Sequence, residues 1–405
     1  MTNKRTYPAR RGEMDEAGKA DRRLRTSATT HGVIRIVSIL AFVAAACSPS
    51  STPASPPREG SADTGSDTPR TYALGEFPPF PDGSLPGSTA EALQATLDTT
   101  VEVGTFTGVT AAVIVADRGS WAGAAGSLDG IPLTQDSRSP THDAGKTVVA
   151  AQVLRLVEDG LLGLDDQASD HLPPELRFFD ANGATIRQVL AMRSGIPGLN
   201  EFTPEGSYFP AEQAPTAVKV FRKLPEPKVR PGSKTDYAST NYVLLGTIIE
   251  HATGRPLAEV LRSDVLSNPA LDGLVYTVED ALAADGYGVE STPGSLARWG
   301  YELYGGSVLS DASLREMTDF YQDPCCDMRY GLGAWDLSLS HGTLAVGHEG
   351  ENSVATCCSL IRLVALPEEG VVISVQANTA ATDQYDTYYN QVVRLTQVLM
   401  DTARG

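Results

Sequence analysis

Apolar and polar positions along the chain follow two different periods, which separate predicted helices from predicted strands. Apolar residues spaced three and four apart indicate amphipathic helices. Short apolar runs bounded by turn residues indicate strands. The predicted helices are Ala90–Leu97, Lys146–Asp159, Ile186–Met192, Thr240–Ala252, Pro256–Leu266, Ser295–Tyr304 and Thr387–Met400. The predicted strands are Val109–Val115, Ser120–Ala124, Tyr330–Leu337, Thr343–His348, Ala355–Ala365 and Gly370–Asn378.

The order of these elements predicts an α+β fold. One hairpin, turning at Asp117-Arg118-Gly119, comes before the long helix that carries Lys146, and the other strands return only after residue 329. We therefore expect one antiparallel sheet built from both chain ends and flanked by helices, with the mostly helical middle inserted as a second lobe. The folded domain is predicted to span residues 89–403.

The first 88 residues have the composition of an export signal and a spacer. Residues 1–46 carry nine basic and four acidic residues and end in a mostly apolar run, Ile36–Ala46, whose last residues are small. This run is too short for a membrane span and is typical of a signal peptide. Cys47 follows it directly, as in a bacterial lipoprotein box, and the Ser/Pro/Thr-rich residues 47–88 predict a disordered tether. An ordinary signal peptide with an incidental cysteine, hence a secreted protein, is the alternative.

Charge and cysteine content narrow the range of partners. A net charge of −18 argues against nucleic acid as a ligand, and the expected membrane contact is the lipid anchor at the outer face of the cell membrane. The remaining cysteines form two adjacent pairs, for which disulfides between the pairs are the default in an exported protein and a zinc site is the weaker alternative. These are Cys325, Cys326, Cys357 and Cys358. The histidines show no metal-ligand spacing, so we do not expect a metal-dependent hydrolase. We expect no cofactor either.

Four segments, in order, resemble the motifs of one enzyme superfamily. They are the helix after Asp143-Ala144-Gly145-Lys146, Thr185–Gly195, Tyr237-Ala238-Ser239 with the helix that follows, and Gly347-His348-Glu349-Gly350. The chain resembles the serine β-lactamase and penicillin-binding-protein superfamily, in the branch of class C β-lactamases, D-alanyl-D-alanine carboxypeptidases and related esterases. The resemblance covers nearly all of residues 90–400. It implies a β-lactamase/transpeptidase-like fold.

The resemblance also implies roles for individual residues. Lys146 is the base of Ser-x-x-Lys, Tyr237 is a further base or proton relay, and Ser239 stands where Tyr-x-Asn has its asparagine. His348 and Gly350 belong to the His-x-Gly strand, where a side chain binds the substrate carboxylate and backbone groups bind the acyl carbonyl. The nucleophile position holds Asp143 instead of serine. Aspartate also has a structural interpretation there, as a helix N-cap paired with Lys146.

Three functions follow from this departure and stay open on sequence alone. The favoured one is a surface-anchored relative that has lost acylation and binds or senses peptidoglycan peptides or another acyl ligand. The second is an active β-lactamase, D,D-carboxypeptidase or esterase that works through Lys146, Tyr237 and His348 with an unidentified nucleophile. The third is a structural envelope module with a vestigial cleft.

Overall fold

The computed structural model describes residues 73–104, 106–198, 216–279, 281–286, 288–322, 329–352, 358–379 and 385–405. The predicted signal peptide, Cys47, Cys325, Cys326 and Cys357 lie outside these residues, and of Cys358 only the backbone is described. The lipid anchor and the disulfides therefore stay predictions. Within the described ranges, no helix is both long and apolar enough to span a membrane.

Among the described residues, nine strands form one sheet in the order β3-β2-β1-β12-β11-β10-β9-β8-β7, and three form a small sheet, β4-β6-β5. All of the paired strands run antiparallel. The strands are β1 Gly108–Val115, β2 Gly119–Leu128, β3 Ile131–Pro132, β4 Ser139–Pro140, β5 Leu274–Tyr276, β6 Val289–Ser291, β7 Tyr321–Gln322, β8 Arg329–Tyr330, β9 Trp335–Asp336, β10 Val346–Asn352, β11 Cys358–Leu366 and β12 Val371–Thr379.

Helices cover both faces of the main sheet. They are α1 Gly87–Glu102, α2 Lys146–Glu158, α3 Ile186–Leu190, α4 Ala217–Phe221, α5 Thr240–Thr253, α6 Leu257–Ser263, α7 Pro293–Tyr304, α8 Asp311–Met317, α9 Ser338–His341 and α10 Tyr385–Arg404. Short 3₁₀ turns join them, and the turn at His142–Gly145 directly precedes α2.

The central pairing confirms the predicted sheet made from both chain ends. Strand β1 pairs with β12 from Gly108↔Asn378 to Val115↔Val371, so the first and last strands lie side by side. Every residue of β1 is buried because successive side chains enter different cores. Ala112 and Ile114 join the core shared with α2, α5 and α7, whereas Val113 joins the core beneath α1 and α10. The α+β architecture is therefore confirmed.

Three predicted strands are wrong in their extent, and the first of them, Ser120–Ala124, runs on to Leu128 as part of β2. The segment 330–337 is not one strand, because it turns between β8 and β9, where the amide of Gly331 donates to the carbonyl of Ala334. Gly333 has φ +85, and a Cβ there would lie 2.3 Å from the Cβ of Ala150. Strand β10 runs on to Asn352 instead of ending at His348, because its pairing with β11 continues to Ser359.

Residues 73–86, which composition assigned to the tether, pack against the domain. Leu85 is buried and its amide donates to the carbonyl of Ser120. The rings of Phe77 and Phe80 lie 5.0 and 5.6 Å from the ring of Tyr301 on α7. The packed part of the chain thus extends upstream of residue 89.

Candidate active site

The turn before α2 places Asp143 against Lys146. Residues His142–Gly145 form a 3₁₀ turn, and α2 begins at Lys146 with Gly145 at its N-cap and no side-chain cap. The predicted N-cap role of Asp143 is therefore wrong, because the tighter turn points its side chain at the lysine. The predicted ion pair is confirmed. Lys146 Nζ donates to Asp143 Oδ1, with the lysine side chain fully buried and the carboxylate side chain 27% exposed.

The charge state of Asp143 follows from this contact. Burial alone would raise the pKa of its carboxyl, but the Lys146 ammonium and its hydrogen bond oppose burial, and the pKa lies below its ordinary value. Asp143 is therefore an ionised carboxylate at neutral pH. Its partner sits in the first turn of α2, where the fixed helical spacing of i and i+3 keeps the two groups together.

Tyr237 lies over Lys146 and, with Tyr330 and Trp335, forms a cluster of three aromatic side chains that we call the aromatic group. Its ring centroid is 5.5 Å from Lys146 Nζ, it stacks on Trp335 at 5.8 Å, and it meets Tyr330 edge-on at 5.8 Å. Tyr237 is 38% exposed, whereas Tyr330 is buried. The structure thus brings the predicted residues Lys146 and Tyr237 together from separate elements, and adds two aromatic residues that the sequence analysis did not single out.

His348 lies in β10 two residues before Gly350, hence on the same face of the sheet, and is fully buried. Its Nδ1 lies 2.6 Å from the carbonyl oxygen of Glu349, which only accepts, so Nδ1 carries the proton. Nε2 therefore accepts from the Tyr330 hydroxyl at 3.2 Å. Burial lowers the pKa of His348 to about 4, and the Asp143 carboxylate only partly opposes that effect. Binding a substrate carboxylate, as predicted, would require this neutral ring to break one of these bonds.

Gly350 and Ser239 lie beside these groups with different environments. A Cβ on Gly350 would lie 2.6 Å from the backbone nitrogen of Asp143 and 2.7 Å from the Cβ of His142. Glycine at this position is what allows β10 to approach the 3₁₀ turn so closely. Ser239 occupies the N-cap of α5 without a side-chain cap and is half-buried.

The end of Thr185–Gly195, the second of the four segments that resemble the superfamily motifs, has a packing role. Ser194 is fully buried, its hydroxyl donates to the side-chain oxygen of Asn241, and it accepts from the amide of Ile196 at 3.0 Å. The amide group of Asn241 donates to the carbonyl of Ala238 at 3.0 Å. These bonds tie the turn to the start of α5, the helix that follows Tyr237.

One polar pair near the site was missed by sequence reasoning. His142 Nε2 lies 2.6 Å from Ser359 Oγ, which comes from β11 two residues before Ile361, the partner of Gly350. Burial lowers the pKa of His142 to about 4, with the Asp143 carboxylate opposing. His142 has φ +46, and the neighbouring Gly286 is required because a Cβ there would lie 1.8 Å from the His142 carbonyl oxygen. Residues 142 and 359 are far apart in sequence, so no local pattern signals their contact.

The beta-lactamase family model matches residues 93–398, which is most of the chain. The chain belongs to the beta-lactamase family. The superfamily resemblance seen in the motifs is thereby confirmed.

Curated relatives match over part of their length. "Penicillin-binding protein 4" of Amycolatopsis lactamdurans is 31% identical over 157 residues, which cover 38% of this chain and 40% of that protein. "D-aminopeptidase" of Brucella anthropi is 27% identical over 199 residues, which cover 47% of this chain and 36% of that protein. The chain therefore spans less than half the length of these relatives.

Solved structures match over nearly their whole length. A D-amino acid amidase from Ochrobactrum anthropi SV3 superposes with a TM-score of 0.63 and 21% identity, over 78% of this chain and 99% of that one. A D-stereospecific amidohydrolase from Streptomyces gives a TM-score of 0.59 and 24% identity, over 74% of this chain and 97% of that one. At such identities these matches establish the fold alone.

Proposed function

We propose that this protein is an exported, lipid-anchored member of the beta-lactamase family that has lost acyl transfer. It binds or senses peptidoglycan-type peptides or other acyl ligands in the site around Asp143. The observation that carries the proposal is the ion pair between the Asp143 carboxylate and the buried Lys146, at the position where the family motif has a serine and its base.

The chemistry of that pair argues against acylation. A serine nucleophile needs a base within hydrogen-bond reach, and the lysine base here is bound to a carboxylate. Attack by that carboxylate on an amide would give a mixed anhydride, which is a poor intermediate for acyl transfer. Removing the nucleophile of a serine hydrolase lowers turnover by about a million-fold, or about 8 kcal/mol of barrier.

The site keeps features suited to binding. Asp143 and Tyr237 both reach solvent, and Tyr237 is stacked on Trp335, so an aromatic surface stands next to a fixed ion pair. The D-aminopeptidase and penicillin-binding protein among the relatives support ligands of the peptide class. Ligand binding at this site is what distinguishes the proposed function from that of a purely structural module.

Thermal melts of the full chain test the proposal. We expect peptidoglycan stem peptides to raise the melting temperature, with the rise growing with ligand concentration as mass action requires. No hydrolysis of ester, cephalosporin or D-Ala-D-Ala substrates should accompany binding, measured beside an active family member. Melts unaffected by these peptides would favour the structural module instead.

The anchoring part of the proposal rests on Cys47 after the small-residue run. We expect the wild type to be labelled with a fatty-acid probe in bacterial cells and to partition into membranes. Cys47→Ser should lose both the label and the membrane fraction. An unlabelled wild type would leave a secreted protein as the correct reading.

A second candidate function, an active hydrolase, is favoured by the contact between Ser359 and His142. A neutral imidazole 2.6 Å from a serine hydroxyl is the geometry of an activated nucleophile. In such a step the Ser359 proton passes to His142 Nε2, Oγ bonds the acyl carbon, and the leaving group departs with that proton. A fluorophosphonate probe mapped to Ser359 by mass spectrometry, lost in Ser359→Ala and kept in Ser233→Ala, would establish this candidate and overturn the first.

A further inference from the structure

We infer that the site around Asp143 selects a ligand carrying a primary ammonium group and disfavours one carrying a free carboxylate. This inference rests on the proposed binding function and specifies the ligand class. We draw it from two properties of the charged groups in the site: which of them are buried and paired, and which of them a ligand can contact.

The first observation is that only one of the two carboxylate oxygens of Asp143 accepts a hydrogen bond from Lys146. Its Oδ1 accepts from Lys146 Nζ, whereas its Oδ2 makes no hydrogen bond within the part of the chain that the structure describes. The side chain is 27% exposed. An ionised carboxylate only accepts hydrogen bonds, so its outward oxygen calls for a donor. A ligand ammonium supplies both the donor and the complementary charge.

The second observation is that the cations near the site are engaged. Lys146 is fully buried beneath Tyr237 and bound to Asp143. His348 is neutral, with one ring nitrogen donating to a backbone carbonyl and the other accepting from Tyr330. A ligand carboxylate would therefore meet the Asp143 carboxylate without a group ready to neutralise it.

The basic side chains in the segments that carry the aromatic group are also paired. Just before Tyr237 in sequence, Lys234 Nζ lies 3.8 Å from a carboxylate oxygen of Asp236. Arg329 Nη1 lies 3.2 Å from a carboxylate oxygen of Asp336, beside Trp335. Each pair is neutral as a unit, so neither Lys234 nor Arg329 offers an uncompensated cation to a ligand carboxylate.

The third observation is the aromatic surface over Lys146, the lysine that binds Asp143. Tyr237 is exposed enough to contact a ligand, and its ring lies 5.8 Å from that of Trp335 and within 5.5 Å of Lys146 Nζ, the partner of Asp143. A ligand with an aromatic or aliphatic side chain next to its ammonium satisfies both surfaces. Together they define an amino-acid amide or peptide amino terminus as the ligand class.

Calorimetric titration of the full chain at pH 6 with three probes of one skeleton tests the inference. The probes are D-phenylalaninamide, which is cationic, N-acetyl-D-phenylalaninamide, which is neutral, and N-acetyl-D-phenylalanine, which is anionic. We expect the cationic probe to bind at least about tenfold more tightly than either of the others. Its advantage should shrink as salt is raised, because the contact is electrostatic and partly exposed.

Two variants assign the preference to Asp143. Asp143→Asn should abolish the tenfold advantage, whereas Glu259→Gln, which removes an exposed charge of α6, should retain it. If Asp143→Asn does not fold, the affinities of the three probes for the wild type, and their dependence on salt, test the ammonium preference. Equal or tighter binding of the neutral or anionic probe overturns the ammonium preference and leaves ligand binding intact. Absence of binding by all three probes and by peptidoglycan peptides overturns both proposals.

Discussion

Asp143→Asn tests the ion pair on which the account rests. The substitution removes one negative charge at almost constant volume and leaves Lys146, which has no exposed surface, without its carboxylate. Removing one partner of a buried pair costs about 3–5 kcal/mol, because the other charge stays buried and uncompensated. We expect a loss of that size in the free energy of unfolding.

The matched control is an ion pair that solvent reaches. Arg255 and Glu259 pair on α6 at 2.9 Å with side chains 42% and 53% exposed. Glu259→Gln should cost less than about 1 kcal/mol, since exposed pairs contribute little. Asp143→Asn combined with Lys146→Met should recover most of the loss, because an apolar replacement of a buried pair is often neutral.

Urea unfolding at pH 7, followed by circular dichroism, measures these differences. A shift of the midpoint at constant slope reports a change in stability. The double variant, compared with Asp143→Asn alone and Lys146→Met alone, gives the coupling between the two side chains. If Asp143→Asn costs no more than Glu259→Gln, Lys146 does not depend on Asp143 and the reasoning about the site is refuted.

Three further predictions concern the surroundings of the pair. His142 and His348 stay neutral in the folded protein down to about pH 4 but protonate near 6.5 when unfolded. Between pH 6.5 and pH 4 the unfolded protein therefore binds more protons than the folded protein. The free energy of unfolding, measured in urea, should fall by about 2 kcal/mol per histidine between pH 7 and pH 5. A free energy of unfolding that does not change over this range contradicts the prediction. Gly350→Ala should cost about 1–3 kcal/mol by forcing β10 away from the 3₁₀ turn, whereas Gly294→Ala, with nothing within 4 Å, should not lower the melting temperature. Tyr330→Phe should cost about 1–3 kcal/mol by leaving Nε2 of His348 without its hydrogen-bond partner, and unchanged stability would contradict a stabilising role for this bond.

The long elements were predictable because their periodicity is local. Strand β1 and helices α2, α5 and α7 lie where apolar spacing placed them, and the pairing of β1 with β12 follows from strands at both chain ends. The observed ends of strands differ from the predicted ones where a single contact between distant residues determines where the strand ends. The turn at Gly333 splits a predicted strand because the backbone there must pass close to Ala150.

The site was predictable only in part. Motif order indicated Lys146, Tyr237 and His348, and the structure brings all three around one ion pair. The backbone of the 3₁₀ turn was not predictable, because the positive φ of His142 depends on close approach to Gly286. The same applies to the contact of His142 with Ser359, which joins a turn to a distant strand. Such contacts depend on how elements pack, which local patterns do not encode.

The most direct test of the central claim is intact-mass analysis of the wild type and Asp143→Ser after incubation with labelled penicillin. We expect no covalent adduct on the wild type, because Asp143 offers an ionised carboxylate and Lys146 is bound to it. Asp143→Ser restores a hydroxyl three residues before the lysine and should gain an adduct of the mass of penicillin. A penicillin adduct on any residue of the wild-type protein would contradict the claim that acyl transfer has been lost.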